Sequence, residues 1–146
     1  MNWPEATWDG LPVTAEPPYG AAILVWRRSE RVEWLLLHRA HHGPEYAGDW
    51  AWGPPAGARQ PDEPVEECAR RELLEEADLD LLTEPTPCGT EDWLVFAAEA
   101  PTDAEVSLSA EHDALRWATT EEAQQLCLPR SVGDSFACVA ALIAQR

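Results

Sequence analysis

Residues 62–80, Asp-Glu-Pro-Val-Glu-Glu-Cys-Ala-Arg-Arg-Glu-Leu-Leu-Glu-Glu-Ala-Asp-Leu-Asp, constrain this chain more than any other stretch. At about 100° per residue, Val65, Cys68 and Ala69 form one apolar stripe, the pattern of a helix packed on a core. Glu72 and Glu76 continue that stripe one turn apart and Glu75 lies at its edge, so the spacing predicts three carboxylates turned away from solvent. Pro64 suits the first helical position, where a missing N–H costs nothing, and the predicted helix runs over 64–77. Two rules oppose the arrangement. Like charges at i and i+4 repel by about a few tenths of a kcal/mol. Acids in the last turn face the negative end of the helix dipole, at roughly 0.3–1 kcal/mol each. Arg70 and Arg71 offset part of this. A hard divalent cation needs such a set, because Mg²⁺ takes oxygen ligands, among them carboxylates. A solvated acidic face in a very acidic chain fits the same letters, and helix phase alone does not choose between the two.

The rest of the chain reads as alternating strands and helices. Ala21 to Trp26 and Val32 to Leu37 are apolar runs separated by the polar Arg27–Arg31, which predicts two adjacent antiparallel strands. His38 to Asp49 reads as a loop, Trp50 to Trp52 as a short strand, and Gly53-Pro54-Pro55-Ala56-Gly57 as a turn. Trp93 to Ala98 and Ala114 to Ala118 are further strand candidates. Glu121 to Leu126 reads as a brief helix capped by Thr119 or Thr120, and Ser135 to Gln145 as a closing helix with Phe136, Val139, Ala140 and Ile143 on one stripe. This order implies a layered α/β domain. Residues 1–18 hold Pro4, Pro12, Pro17 and Pro18, which rule out a long helix. Trp3, Trp8 and Leu11 make this an extended arm expected to dock on the domain (19–146) or on a second subunit in a homodimer.

The net charge is −17, with 27 acidic residues against 10 basic ones, all of them Arg. That field repels DNA and RNA, so no nucleic-acid polymer is expected as partner. A small phosphorylated ligand stays open, since bound cations reverse the local sign. No apolar run is long enough to span a bilayer, and the first residues carry neither the basic nor the apolar part of a signal peptide, so no membrane association and a cytoplasmic location are expected. Cys68, Cys88, Cys127 and Cys138 form no C-x-x-C pair, which argues against zinc. Cys68 and Cys138 read as small core residues and all four as reduced thiols.

Gly57 to Leu79 resembles a Nudix box, G-x5-E-x7-R-E-U-x-E-E-x-G-U, with U a bulky aliphatic. Gly57, Glu63, Arg71, Glu72, Leu73, Glu75, Glu76 and Leu79 give eight of the nine specified positions over 23 residues. The preceding Trp52-Gly53-Pro54-Pro55-Ala56 resembles the family's approach to the box, and Glu111 to Trp117 resembles a late strand of many members. The departure is Asp78, where the box has Gly. That glycine would end the helix with φ > 0, a geometry Asp tolerates better than most residues.

The resemblance implies a Nudix-type α/β/α sandwich with a mixed sheet between helices. It also implies a Mg²⁺-dependent (Mn²⁺ possible) pyrophosphohydrolase acting on a small phosphorylated nucleotide-type substrate: a nucleoside triphosphate, an ADP-ribose or nucleotide-sugar, or a related compound. The absence of a Pro-Lys-Gly approach shifts the expectation away from dinucleotide polyphosphates. Carried over by position, Glu72, Glu75 and Glu76 would hold the metal, with Glu72 as ligand or general base and Arg71 orienting it. The Ala56 carbonyl and Glu111 would be further metal ligands. Gly57 and Glu63 would be structural, Glu63 holding the loop to the helix. Arg39 is a candidate for substrate phosphate, and Trp52, like Trp50, Trp93 and Phe96, for stacking on a base. The alternative is a catalytically silent Nudix-fold nucleotide sensor or protein-interaction module, against which the full set of glutamates argues.

Overall fold

The structure, a computed structural model, describes residues 12–145. Seven strands form one mixed sheet: β1 (Gly20–Arg28), β2 (Val32–Arg39), β3 (Trp52–Gly53), β4 (Ala56–Ala58), β5 (Glu84–Pro85), β6 (Trp93–Glu99) and β7 (His112–Ala118). Strand β1 is central, antiparallel to β2 and parallel to β6. Helix α1 (Val65–Ala77) covers one face, where Cys68, Ala69, Leu73 and Ala77 pack with Ile23, Val25, Leu35, Leu37 and Phe96. Helices α2 (Thr120–Leu126) and α3 (Arg130–Ala144) cover the other, where Phe136, Val139 and Ile143 pack with Leu24, Trp34 and Leu36. Alternate residues of β1 and β2 thus feed opposite cores, as the period of two requires. This is the α/β/α sandwich with a mixed sheet that the resemblance implies.

One topological detail positions the candidate site. The β1–β2 ladder runs only from Arg28↔Val32 to Trp26↔Trp34. Beyond it, β2 pairs with β3 (Leu37↔Gly53, His38↔Trp52) while β1 pairs with β4 (Gly20↔Ala58 to Ala22↔Ala56). The two long strands part, and residues 52–58 fill the gap. Pro54 and Pro55 lack the N–H that a continuous ladder needs, so the segment changes partner at them.

Several expectations are corrected. The 53–57 turn ends in strand β4, and the strand expected at Trp50–Trp52 is Trp52–Gly53, with Trp50 in left-handed backbone at φ 65°. Pro64 caps α1 from outside (ψ 140°) instead of opening it. Helix α3 begins at Arg130, earlier than Ser135, because Gly133 is no breaker there: a Cβ on it would lie 2.8 Å from the Gln124 carbonyl, so it lets α2 and α3 close up. Cys88 and Cys138 form a disulfide joining the loop before β6 to α3, which overturns the reading of four reduced thiols. Cys68 and Cys127 are free and fully buried, their thiols pushed up to about 12 by burial, as apolar packing residues.

Asp78 terminates α1 at φ 56° and ψ 38°, its N–H donating to the Leu74 carbonyl, so the left-handed cap survives without glycine. Thr119 caps α2 in a capping box with Glu122. Residues 12–18 lie on the domain: Thr14 N–H donates to the Arg59 carbonyl (2.9 Å), and the Arg59 guanidinium donates to the Pro18 and Glu16 carbonyls (2.7 and 2.9 Å). Trp3, Trp8 and Leu11, on which the docking expectation for the arm rests, lie outside the described residues. Among the described residues, no helix is long and apolar enough to cross a membrane.

Candidate active site

The ladder of β4 sets the site. In an antiparallel pair, successive residues point their backbone groups alternately at the partner and away from it. Ile23 N–H donates to the Pro55 carbonyl (2.8 Å) and Arg59 N–H to the Tyr19 carbonyl (2.8 Å), so Pro55, Gly57 and Arg59 face β1. Ala56 and Ala58 therefore turn outward, toward α1. Ala56 N–H donates to Glu76 Oε1 (3.2 Å) and the Ala58 carbonyl accepts from Arg71 (3.0 Å). By the same alternation the Ala56 carbonyl leaves the strand on the side of the glutamates.

Glu72 and Glu76 are both buried, at 7% and 4% exposure. The Glu72 carboxylate lies so close over Gly57 that a Cβ there would sit 2.0 Å from its Cδ, which is why this position takes glycine. Burial, the first cause, pushes Glu72 up to about 7, with the Glu75 and Glu111 charges adding to the rise and Arg71 opposing it. Glu76 is pushed up to about 9, first by burial, then by the Glu72 carboxylate, with Glu111 contributing and the Ala56 N–H opposing. Without a cation the two acids hold protons between them.

Arg71 organises the surroundings. It donates to both Glu63 oxygens (2.8 and 2.9 Å) and to Glu72 (2.8 Å), and reaches Glu75 at 3.3 Å. A planar guanidinium suits this forked contact, and lysine would not. The hydrogen bond to Glu63 is the main reason its pKa is raised. Glu63 also accepts from Gln60 N–H (3.1 Å), tying the loop to the helix. Burial alone would raise Glu63, but the Arg71 and Gln60 hydrogen bonds hold it below the usual carboxylate range.

The structure departs from the expected burial at Glu75, whose side chain is 54% exposed. Leu73 and Ala77 are also in the buried stripe, which moves its centre away from Glu75. Arg39 and Trp52 lie on β2 and β3. Arg39 is exposed at the end of β2, opposite His112, and Trp52 is half-buried against the His38 ring (4.9 Å). Glu111 is connected by charge to both buried glutamates and by its carbonyl to Ala40 N–H (2.9 Å). Among the described residues, no three acidic, histidine or cysteine side chains already converge as a cation cage. There is instead a buried pair with Glu75 and Glu111 in electrostatic reach.

Sequence reasoning placed His38 in a loop and missed its role. It is the last buried residue of β2, with Nδ1 at 2.6 Å from Asp113 Oδ1 and Nε2 at 2.6 Å from the Tyr46 carbonyl. Both partners offer oxygen acceptors, so the protonated ring, with both nitrogens donating, satisfies both contacts. Burial alone would lower its pKa; the bonds to Tyr46 and Asp113 outweigh this and raise it. His38 thereby clamps the 40–51 loop to the head of β7. The alternation Trp34, Leu36, His38 was the available signal that it points inward. Beside it, Ser109 Oγ and His112 Nδ1, flanking Glu111, are the buried side-chain polar atoms without a hydrogen-bond partner among the described residues. Burial, helped by Arg39, lowers His112 to about 4, so it is neutral.

Comparisons with known proteins give the family and the fold. A family model described as NUDIX domain matches residues 16–136. A search of curated proteins found no match. Among solved structures the chain is similar to a C. elegans Ap4A hydrolase in a binary complex, at TM-score 0.72 and 24% identity over 87% of this chain and 99% of that one. It is also similar to a Nudix hydrolase from M. smegmatis (TM-score 0.70, 20% identity, 87% and 86% covered). A third neighbour is the E. coli dihydroneopterin triphosphate pyrophosphohydrolase (TM-score 0.66, 18% identity, 85% and 94% covered).

Proposed function

Because the chain belongs to the Nudix family, we propose that it is a pyrophosphohydrolase that uses a divalent cation to cleave the diphosphate linkage of a small nucleotide-type substrate. The observation that carries this is the buried Glu72–Glu76 pair, pressed on Gly57 and on the Ala56 N–H, with pKa values of about 7 and about 9. Two buried acids whose protonated forms are favoured are oxygen donors for a hard cation, which would take the protons' place. The donor chemistry fits Mg²⁺ or Mn²⁺, with Glu72 and Glu76 as principal ligands. The outward Ala56 carbonyl, Glu111 and the more exposed Glu75 complete the candidate set.

Bound there, the cation would supply charge neutralisation on the diphosphate and a more acidic water. The chain's own residues do the rest. Glu72, held at 2.8 Å by Arg71, is in position to accept a proton from an attacking water. Arg71 is itself fixed by Glu63 and the Ala58 carbonyl, so the carboxylate does not reorganise during attack on phosphorus. Arg39 is the candidate contact for substrate phosphate, and Trp52 for the rest of the substrate. Two structural neighbours are named for Ap4A and for dihydroneopterin triphosphate, both compounds built on a phosphate chain, which supports the linkage but not one substrate.

The test is a screen of nucleoside triphosphates, ADP-ribose, nucleotide-sugars and dinucleotide polyphosphates with millimolar Mg²⁺ or Mn²⁺ and product identification. Cation-dependent release of a phosphorylated product is expected, and Glu76→Gln and Glu75→Gln should each lower kcat by roughly 10²-fold. Wild-type turnover in both variants would remove the metal-site assignment. Saturable nucleotide binding without hydrolysis would make the chain a sensor.

A further inference from the structure

We propose that the corner built by the 40–51 loop is a nucleobase platform, on which the Trp50 indole stacks against the ring of a nucleotide. The proposal rests on the pyrophosphohydrolase reading only for the kind of ligand.

Trp50 is 54% exposed. Its φ of 65° is a left-handed conformation that a bulky side chain rarely adopts. The conformation is nonetheless held on every side. Trp50 N–H donates to the Leu128 carbonyl (2.6 Å), Ala51 N–H to Gly48 (3.1 Å) and Arg39 N–H to Ala51 (2.9 Å), while Ala51 itself is fully buried. The His38 clamp on the Tyr46 carbonyl fixes the middle of the loop. The indole is therefore presented on an anchored backbone, and unfavourable backbone geometry kept by its surroundings points to use of the side chain.

The chemistry of the corner selects the ligand. Among the described residues the other exposed large apolar side chains are Leu74, Leu82 and Leu115, on α1, on the segment before β5 and on β7. The loop that carries Trp50 is aromatic and polar. The His41 and His42 rings lie 4.7 Å apart and the His42 and Tyr46 rings 4.6 Å. His38 and Arg39 end the strand that leads into this loop, and His112 faces Arg39 across the β2–β7 ladder. In a chain of net charge −17, this corner combines π faces with nitrogen donors, which suits a base joined to a phosphate. The loop also meets the glutamate site through Ala40 and Glu111, so one nucleotide could address both.

The test compares Trp50→Gly, which suits the left-handed backbone but removes the ring, with Trp50→Phe, which keeps a ring. Calorimetric binding of the four ribonucleoside monophosphates is set against ribose 5-phosphate, the same ligand without a base. Trp50→Gly should weaken the best-bound monophosphate about tenfold, equivalent to about 1.4 kcal/mol, leave ribose 5-phosphate within about twofold, and melt at or above wild type. Trp50→Phe should keep most of the affinity. In hydrolysis of the best diphosphate substrate, the larger part of the Trp50→Gly loss should fall in KM. The platform is overturned if wild type binds no monophosphate better than ribose 5-phosphate, or if Trp50→Gly weakens both kinds of ligand alike or neither. Ring-dependent monophosphate binding without hydrolysis of any diphosphate would sink the proposed activity and leave the platform standing.

Discussion

Removing one carboxyl proton site should reshape how the metal-free protein's stability depends on pH. Glu76 is pushed up to about 9 and Glu72 to about 7. An acid whose pKa is raised in the folded state keeps a proton there that the unfolded chain has already released. Folded stability is then largest below the unfolded value, near 4.5, and falls as pH rises toward the folded value. Each such proton changes stability by about 1.4 kcal/mol per pH unit. Between pH 6 and 8 the one proton that the pair holds most tightly accounts for a loss of roughly 2.7 kcal/mol. At about 2–4 °C per kcal/mol for a domain of this size, wild type in chelator should melt about 5–10 °C lower at pH 8 than at pH 6.

The variant Glu76→Gln keeps the shape and the oxygen facing Ala56 but cannot ionise, so most of that slope should vanish. Its melting temperature should move above that of wild type as pH rises. His38, whose pKa is also raised, contributes a slope of the same sign, but it is common to both proteins and cancels in the difference. His112, lowered to about 4 from an ordinary value of 6.5, adds a rise of opposite sign at the acid end of this window, and it too is common to both proteins and cancels in the difference. Millimolar Mg²⁺ should flatten the wild-type slope, because a cation binds the ionised form, and should do much less for the variant. Differential scanning calorimetry at pH 6, 7 and 8, with chelator and with Mg²⁺, reads all four curves. A flat or rising wild-type curve in chelator, or a variant that falls in parallel with it, would refute the reasoning.

Three further outcomes follow from single contacts. Gly57→Ala puts a methyl where the Glu72 carboxylate lies, with Cδ at 2.0 Å, and should lower turnover by about 10²-fold; turnover equal to wild type would show that the carboxylate is free to sit elsewhere. The Cys88–Cys138 bridge closes a separation of 50 residues. Chain entropy alone values such a bridge at about 4 kcal/mol, so reductant should lower the melting temperature by on the order of 10 °C, and a shift under about 2 °C would contradict that. Asp78→Gly relieves a left-handed residue at φ 56° and should raise the melting temperature by about 1–3 °C; a fall of that size would mean the aspartate side chain has a structural task of its own.

What could be read from the sequence divides along physical lines. The long periodic elements were legible because burial writes them: β1, β2, β6 and α1 each carry the period of the core they face. The box also gave Arg71, Glu72 and Glu76 their neighbourhood, since the helix turn brings those positions to one side. The burial of Glu75 was overestimated because the stripe was drawn from its first turn, before Leu73 and Ala77 turned it away. Strands β3, β4 and β5 are two or three residues long, too short for any period, and exist only through their partners. The disulfide and the His38 clamp join residues 50 and 75 positions apart, and no local pattern reports a pairing of that range.

The Ala56 N–H has an uncommon correspondent. It sits in a strand, yet it donates to the Glu76 side chain and not to another strand. Its resonance in a nuclear magnetic resonance spectrum would shift as that carboxyl gains or loses its proton, and its exchange with deuterated solvent would follow the helix's hold on the strand more than the sheet's cohesion. A single backbone amide thus lets the charge state of a buried acid be followed without touching the acid itself.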